Sequence, residues 1–293
     1  MMTTSHASTK LLVLGATGML GNAMLRTFAD SPGFNAVGSA RSPAGVRLLP
    51  ERLRALVRTG VDVENADALA RLFDSVRPQV VVNCVGLVKQ LADAEDPLVA
   101  LPINALLPHR LSRLCALVGA RLVHVSTDCV FAGTRGGYTE ADAPDAQDLY
   151  GRSKLLGEVA ADAHAITLRT SIIGHELGSA HGLLGWFLAQ QGPVRGYAKA
   201  VFSGLPTVEL AGVVRDQVLP RPALSGLYQV SAAPIDKLAL LRLVATQYGR
   251  ATEITADERV VIDRSLDSSR FRAATGYAPP AWPELVRRMH AFG

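Results

Sequence analysis

The stretch LLVLGATGMLG, residues 11–21, decides how this chain is read. Leu11 to Leu14 are four aliphatic residues in a row, the pattern of a strand buried on both faces. Gly15, Gly18 and Gly21 follow at once, where a helix begins. Gly15 permits the tight turn, Gly18 lets a pyrophosphate approach the backbone, and Gly21 lets the helix pack closely. The helix N-terminus then offers its free N–H groups to the anion, with Thr17, Met19 and Leu20 completing the cradle. A glycine triplet alone is a weak signal, and the strand-turn-helix context makes it a nucleotide turn. Its spacing, GxxGxxG, is one residue longer at the first step than the commonest dinucleotide fingerprint.

Outward from that turn, short aliphatic runs alternate with amphipathic stretches: VVVN at 80–83, RLVHV at 121–125 and AITLR at 165–169. Alternation of this kind predicts βαβ units and a parallel sheet. Leu69, Leu72, Phe73 and Val76 fall at helical spacing after the cap Asn65, and a second helix opens at Asp96-Pro97 and closes at Gly119. Pro102 and Pro108 inside it predict a kink. After residue 170 the alternation becomes irregular, with GHELGSAHG a loop, until GLYQV restores a strand at 226–230. A helix to about Tyr248, a strand near RVVI and two short helices separated by Gly276 finish the chain. The expected fold is α/β, a Rossmann-type doubly wound parallel sheet with a smaller C-terminal substrate-binding lobe. Residues 8–170, with about 200–230 returning, make the nucleotide-binding domain, and about 171–199 with 231–293 make the lobe.

With 48% hydrophobic and 19% charged residues and no low-complexity tract, the composition is that of a folded globular chain. The net charge of +4 is small and dispersed, which suits an anionic small molecule and argues against nucleic acid. Cys84, Cys115 and Cys129 lack CxxC spacing, so neither a disulfide framework nor a zinc site is expected, and a cytoplasmic location fits. His109, His175 and His181 form no ligand pattern, so no metal is expected. The first apolar run is too short for a signal segment and no run reaches spanning length, so no membrane is expected. The sequence does not specify an oligomeric state, and a homodimer is left open.

The second strand, NAVGSA, ends at Ser39, Ala40 and Arg41, where an acidic residue would bind the adenosine ribose of NAD. Arg41 there can accept a 2′-phosphate, which favours NADPH while leaving NADH open; its bland alternative is a solvated loop arginine. Asp62 and Val63 in GVDV are placed to meet the adenine, and Val85 and Gly86 in the NCVG turn to lie beside the ribose.

Tyr150 and Lys154 stand at i and i+4 and project from one face of a helix whose apolar stripe is Leu155, Leu156 and Val159. A free phenol has a pKa of about 10, and an adjacent ammonium favours the phenolate. Taken alone, YxxxK is too short to mean much. The glycine turn, Ser126-Thr127-Asp128 after a strand, and YxxxK nevertheless follow one another in the chain order of the extended short-chain dehydrogenase/reductases, which the whole chain resembles. More narrowly, STDCVF, YTE, YGRSKLLGE and LRTS resemble the dTDP-4-dehydrorhamnose reductase family. The resemblance implies NADPH-dependent reduction of a 4-keto nucleotide-diphosphate sugar in deoxysugar synthesis for surface polysaccharide. It implies Thr127, Tyr150 and Lys154 as the catalytic trio: Tyr150 the acid, Lys154 holding the nicotinamide ribose and lowering the tyrosine pKa, Thr127 on the reacting sugar oxygen.

The family usually reads STDYVF, and Cys129 replaces that tyrosine here. A carboxylate pair of the kind that 4,6-dehydratases carry after the threonine is missing, since Asp128 is followed by Cys129. Three readings remain: a 4-keto-sugar reductase, an epimerase or reductase of an N-acetylated 6-deoxyhexose, and a non-catalytic regulatory subunit. Asp128 and Arg264, the latter in DRSLD, are the expected substrate contacts beside Thr127, although Arg264 also reads as a solvated side chain.

Overall fold

The computed structural model describes residues 8–88 and 95–293. Among the described residues twelve strands form three sheets: β1 (Thr9–Leu14), β2 (Phe34–Ser39), β3 (Val57–Arg58), β4 (Val80–Asn83), β5 (Arg121–Thr127), β6 (Ala165–Thr170), β7 (Ile172–Ile173), β8 (Val194–Phe202), β9 (Leu205–Pro206), β10 (Gly226–Gln229), β11 (Ile235–Asp236) and β12 (Ile254–Asp263). Seven of them make a parallel sheet in the order β3-β2-β1-β4-β5-β6-β10. The order reverses between β1 and β4, the point of an open α/β sheet where ligands bind at the carboxyl edge. The expected doubly wound α/β fold is present, and the glycine turn lies at that reversal.

The helices are α1 (Met19–Ala29), α2 (Pro43–Val46), α3 (Glu51–Arg54), α4 (Ala66–Val76), α5 (Pro97–Ala100), α6 (Leu107–Val118), α7 (Leu149–Leu156), α8 (Leu183–Leu188), α9 (Thr207–Val213), α10 (Lys237–Gln247), α11 (Ser269–Thr275) and α12 (Trp282–Phe292). On one face of the sheet, Leu69, Leu72, Phe73 and Val76 of α4 join Leu107, Leu111 and Cys115 of α6 against Leu12, Leu14, Val81 and Leu122. Asn65 caps α4 by accepting from Ala68 N at 2.9 Å. The helix expected from Asp96 to Gly119 is interrupted by a π-helical stretch, Leu101–Leu106, between α5 and α6, where Pro102 and Pro108 cannot donate to the regular ladder.

The other face buries Leu11, Val13 and Ile166 with Met24 and Phe28 of α1, Leu210 and Val214 around α9, and Leu285 and Met289 of α12. That cluster continues into Leu184 and Phe187 of α8 and Leu240 and Val244 of α10, so the late segments share one core with the sheet. A three-stranded sheet, β11-β8-β12, and the short pair β7-β9 stand beside the large one. Arg121, at the start of β5, donates to Val218 O at 2.7 Å and Leu224 O at 2.6 Å and ties the sheet to the segment after α9.

Candidate active site

At the nucleotide turn, Gly15 has a φ of +77°, a conformation that L side chains rarely adopt, and a Cβ on it would stand 3.1 Å from Val85 Cγ2. A Cβ on Gly21 would overlap the Gly15 carbonyl, so glycine is needed there for close approach. Gly18 is the N-cap of α1 and supplies no side-chain hydrogen bond, which leaves the first N–H groups of the helix without a side-chain cap. Met19 and Leu20 open that helix, and Thr17 lies against Gly45. A bare helix N-terminus beneath glycines fits the pyrophosphate of a dinucleotide.

Arg41 is exposed beyond the end of β2 and makes no hydrogen bond or ion pair among the described residues. Asp62 is exposed four residues beyond β3 rather than at its end, and its Oδ1 accepts from Glu64 N at 3.0 Å. Val63 packs beside the α4 cluster, and Val85, whose N–H donates to Asn83 Oδ1 at 3.1 Å, sits directly under Gly15.

The tyrosine helix α7 is seated by small and polar residues. Gly151, Ser153 and Lys154 are its buried positions, whereas Leu156 is 61% exposed, so the stripe expected from Leu155, Leu156 and Val159 is not what docks it. Val159, beyond the helix end, is buried, and Leu155 is only partly so. Asp148 caps the helix through Gly151 N at 2.7 Å. A Cβ on Gly151 would overlap the Cys129 carbonyl oxygen, so glycine brings the first turn of α7 against the loop that follows Thr127. Lys154 is buried, with Nζ donating to Val125 O at 2.8 Å. A Cβ on Gly86 would lie 3.9 Å from that amine, which sets Lys154 beside the NCVG turn.

Asn104, in the π-helical stretch, went unnoticed in the sequence. Its Oδ1 accepts from Leu87 N at 2.9 Å, and its Nδ2 donates to Leu87 O at 3.1 Å and Ser153 Oγ at 3.2 Å. It thereby locks α7 to the segment after β4. The proline-flanked interruption at Pro102 was the one sequence signal for it.

Thr127 donates to Asp128 Oδ1 at 3.1 Å and accepts from Cys129 N at 3.1 Å. Burial raises the Asp128 carboxyl, with the Arg264 charge acting the other way. Burial pushes the Cys129 thiol up to about 12, reinforced by Asp128, so it stays a neutral thiol. Arg264 donates from Nε to Phe131 O at 2.7 Å and places Nη1 3.7 Å from Cys129 Sγ. It is therefore anchored against the loop rather than solvated. Burial also raises the Tyr150 phenol, against hydrogen bonding from Thr127. With burial dominant, the Tyr150 phenol lies above its ordinary value rather than below it as expected, and the Lys154 amine is engaged with Val125 O. Lys154 itself is lowered to about 8 by burial, opposed by Glu158.

A doubly wound sheet with a glycine turn at its reversal and a Thr-Tyr-Lys cluster on the same edge defines the extended short-chain dehydrogenase/reductase class. Residues 9–200 match the model of the RmlD substrate binding domain, and the chain belongs to that family. Rat methionine adenosyltransferase 2 subunit beta is 33% identical over 153 residues, 52% of this chain and 42% of its own length. A dTDP-4-dehydrorhamnose reductase of Mycobacterium tuberculosis is 38% identical over 125 residues, 40% of each chain. These matches span less than half the length of either relative. The crystal structure of dTDP-4-dehydrorhamnose reductase from Bacillus anthracis in complex with NADP superposes with a TM-score of 0.80 at 19% identity, covering 98% of this chain and 99% of that one. No helix among the described residues is long and apolar enough to cross a membrane.

Proposed function

We propose that the chain reduces a nucleotide-diphospho-4-keto-6-deoxysugar to the hydroxy sugar with NADPH, and that Tyr150, Thr127 and Lys154 carry the chemistry. The observation that supports this most is the convergence of α7, the end of β5 and the glycine turn on one edge of the sheet, with Lys154 against Gly86 and Gly15 against Val85. Bound NADPH supplies a hydride for the ketone carbon. Gly15, Thr17, Gly18, Met19 and Leu20 would cradle its pyrophosphate, Arg41 its 2′-phosphate, Asp62 and Val63 its adenine, and Val85, Gly86, Tyr150 and Lys154 its riboses and nicotinamide end.

The phenol of Tyr150 gives its proton to the sugar oxygen as negative charge develops there. A phenol raised by burial is fully protonated at neutral pH, the state a reduction requires of its acid. Lys154, as a cation, then stabilises the phenolate that remains until water reprotonates it. Thr127 orients the oxygen. Asp128 and Arg264 are the further sugar-nucleotide contacts, Arg264 towards the diphosphate. The division into a nucleotide-binding part, residues 8–170 with about 200–230, and a sugar-binding part, about 171–199 with 231–293, belongs to the same proposal. The neutral thiol of Cys129 supplies no second carboxylate, which weighs against elimination of water.

Purified protein given NADPH and a panel of 4-keto nucleotide sugars should oxidise the cofactor with at least one of them, seen as loss of nicotinamide absorbance. Oxidation with none would overturn the proposal. The similarity to a protein named as a subunit favours one second reading, a non-catalytic partner chain. Tight NADPH binding without turnover on any sugar would support it.

A further inference from the structure

Behind Lys154 lies a buried ion pair that the reaction as proposed does not use. Arg169, the fifth residue of β6, donates from Nε and Nη2 to the two carboxylate oxygens of Glu158, each at 2.7 Å. The two side chains are 4% and 7% exposed. Ser126 Oγ adds a third donor to Glu158 Oε1 at 2.7 Å. Ser126 stands between Val125, whose carbonyl holds Lys154, and Thr127. The carboxylate and the ammonium thus flank the same turn of β5 backbone. Arg169 also reaches outward: its guanidinium lies 5.3 Å from the centre of the Phe131 ring, which stacks on Tyr138 at 4.1 Å. One carboxylate therefore binds the segment after α7, the end of β5, the end of β6 and the loop after Thr127.

We propose that Glu158, clamped by Arg169 and Ser126, is a positioning residue of this site: it fixes α7 against the end of β5 and supplies the buried negative charge that Lys154 faces. The role rests on the reading of Lys154 as a site residue given above. A lone ammonium in an apolar setting sheds its proton, and a carboxylate nearby is what retains it. Arg169 prevents that carboxylate from drawing Lys154 away from β5, because both of its oxygens are already taken by the guanidinium. The remaining groups around the amine do not substitute for Glu158. Cys84, after β4, is a thiol that burial raises to about 12. His124, on β5, is held neutral by burial and by Lys154 itself. Asp128 and Cys129 act on Tyr150 and not on Lys154. Neither α5 nor the π-helical stretch carries a titratable side chain. Of all these groups Glu158 is the largest in raising Lys154.

The chain has five lysines, so the protein labelled with 13C at lysine Cε gives a spectrum simple enough to titrate, with Lys154→Met assigning the peak. In the wild type, Lys154 should titrate near pH 8. In Glu158→Gln, which keeps the shape, the midpoint should fall by about one pH unit, a tenfold loss of proton affinity. Removing one partner of a buried pair is strongly destabilising, whereas removing both is often neutral, so Glu158→Gln/Arg169→Met provides a folded protein with the same charge deleted. A midpoint lowered in Glu158→Gln supports the role, and an unchanged or raised one overturns it; should that variant fail to fold, the same two outcomes are read from the double variant against Arg169→Met alone, which cancels the effect of deleting the Arg169 cation. The titration needs no turnover, so it is decided independently of whether the chain proves to be a reductase.

Discussion

Tyr150 is held as a phenol by burial, which suits the acid's part that the proposal assigns it and not that of a standing phenolate. Tyr150→Phe removes the proton without changing the ring, so turnover should fall about 10²- to 10⁴-fold. NADPH affinity, followed by fluorescence titration, should change little, and a fully active variant would remove Tyr150 from its role. Arg41 is the other residue with a sharp expectation. It is exposed and has no partner among the described residues, and the proposal gives it the 2′-phosphate. Loss of its charge-assisted hydrogen bonds, about 1.5–3 kcal/mol, should weaken NADPH roughly ten- to hundredfold in Arg41→Ala while NADH changes much less. Equal losses would locate the 2′-phosphate elsewhere. Tyr150 was read from the YxxxK pattern and Arg41 from its place after the second strand, and the role of each belongs to the proposal. Cys129 was legible only as a departure, and its neutral state follows from burial that no spacing reveals.

At the scale of elements, the position of α7 is decided by what its buried face touches. The expected aliphatic stripe was misleading because Leu156 points to solvent, and the seat is made by Gly151 against the Cys129 carbonyl and by Ser153 and Asn104. Polar contacts of this kind join residues 49 positions apart, and hydrophobic periodicity carries no trace of them. The same holds for Glu158 and Arg169, visible beforehand only as letters within YGRSKLLGE and LRTS. Asn104→Ala leaves Leu87 N–H and C=O without their side-chain partner, at about 1–3 kcal/mol for each buried group. Urea denaturation should show a loss of that order, and an unchanged midpoint would mean that the π-helical stretch is held by other contacts.

At the scale of the whole molecule, the fold was the most legible feature, since β1, β4, β5 and β6 are near-continuous aliphatic runs separated by crossover helices. The late segments were harder to place. The helix ending near Tyr248, the strand around RVVI and the helices about Gly276 were readable, whereas α8, β8 and α9 were not, and that α8, α10 and α12 share the core of the main sheet follows from packing alone. A shared core predicts a single cooperative unit. Trp186 and Trp282 are the chain's two tryptophans and lie outside the seven-stranded sheet, so tryptophan fluorescence and far-UV circular dichroism should unfold at one common midpoint. Phe187→Ala, which opens a cavity in that core, should lower stability by about 3–5 kcal/mol by both probes together. Separate transitions would show two independent units.

The most direct measurement for the whole molecule is the fate of the hydride. NADPH deuterated at both C4 positions should pass one deuterium to C4 of the 4-keto nucleotide sugar, with one cofactor consumed per sugar reduced, as read by mass spectrometry and NMR of the product. A sugar changed in configuration with no deuterium and no net loss of NADPH would contradict reduction and make the chain an epimerase.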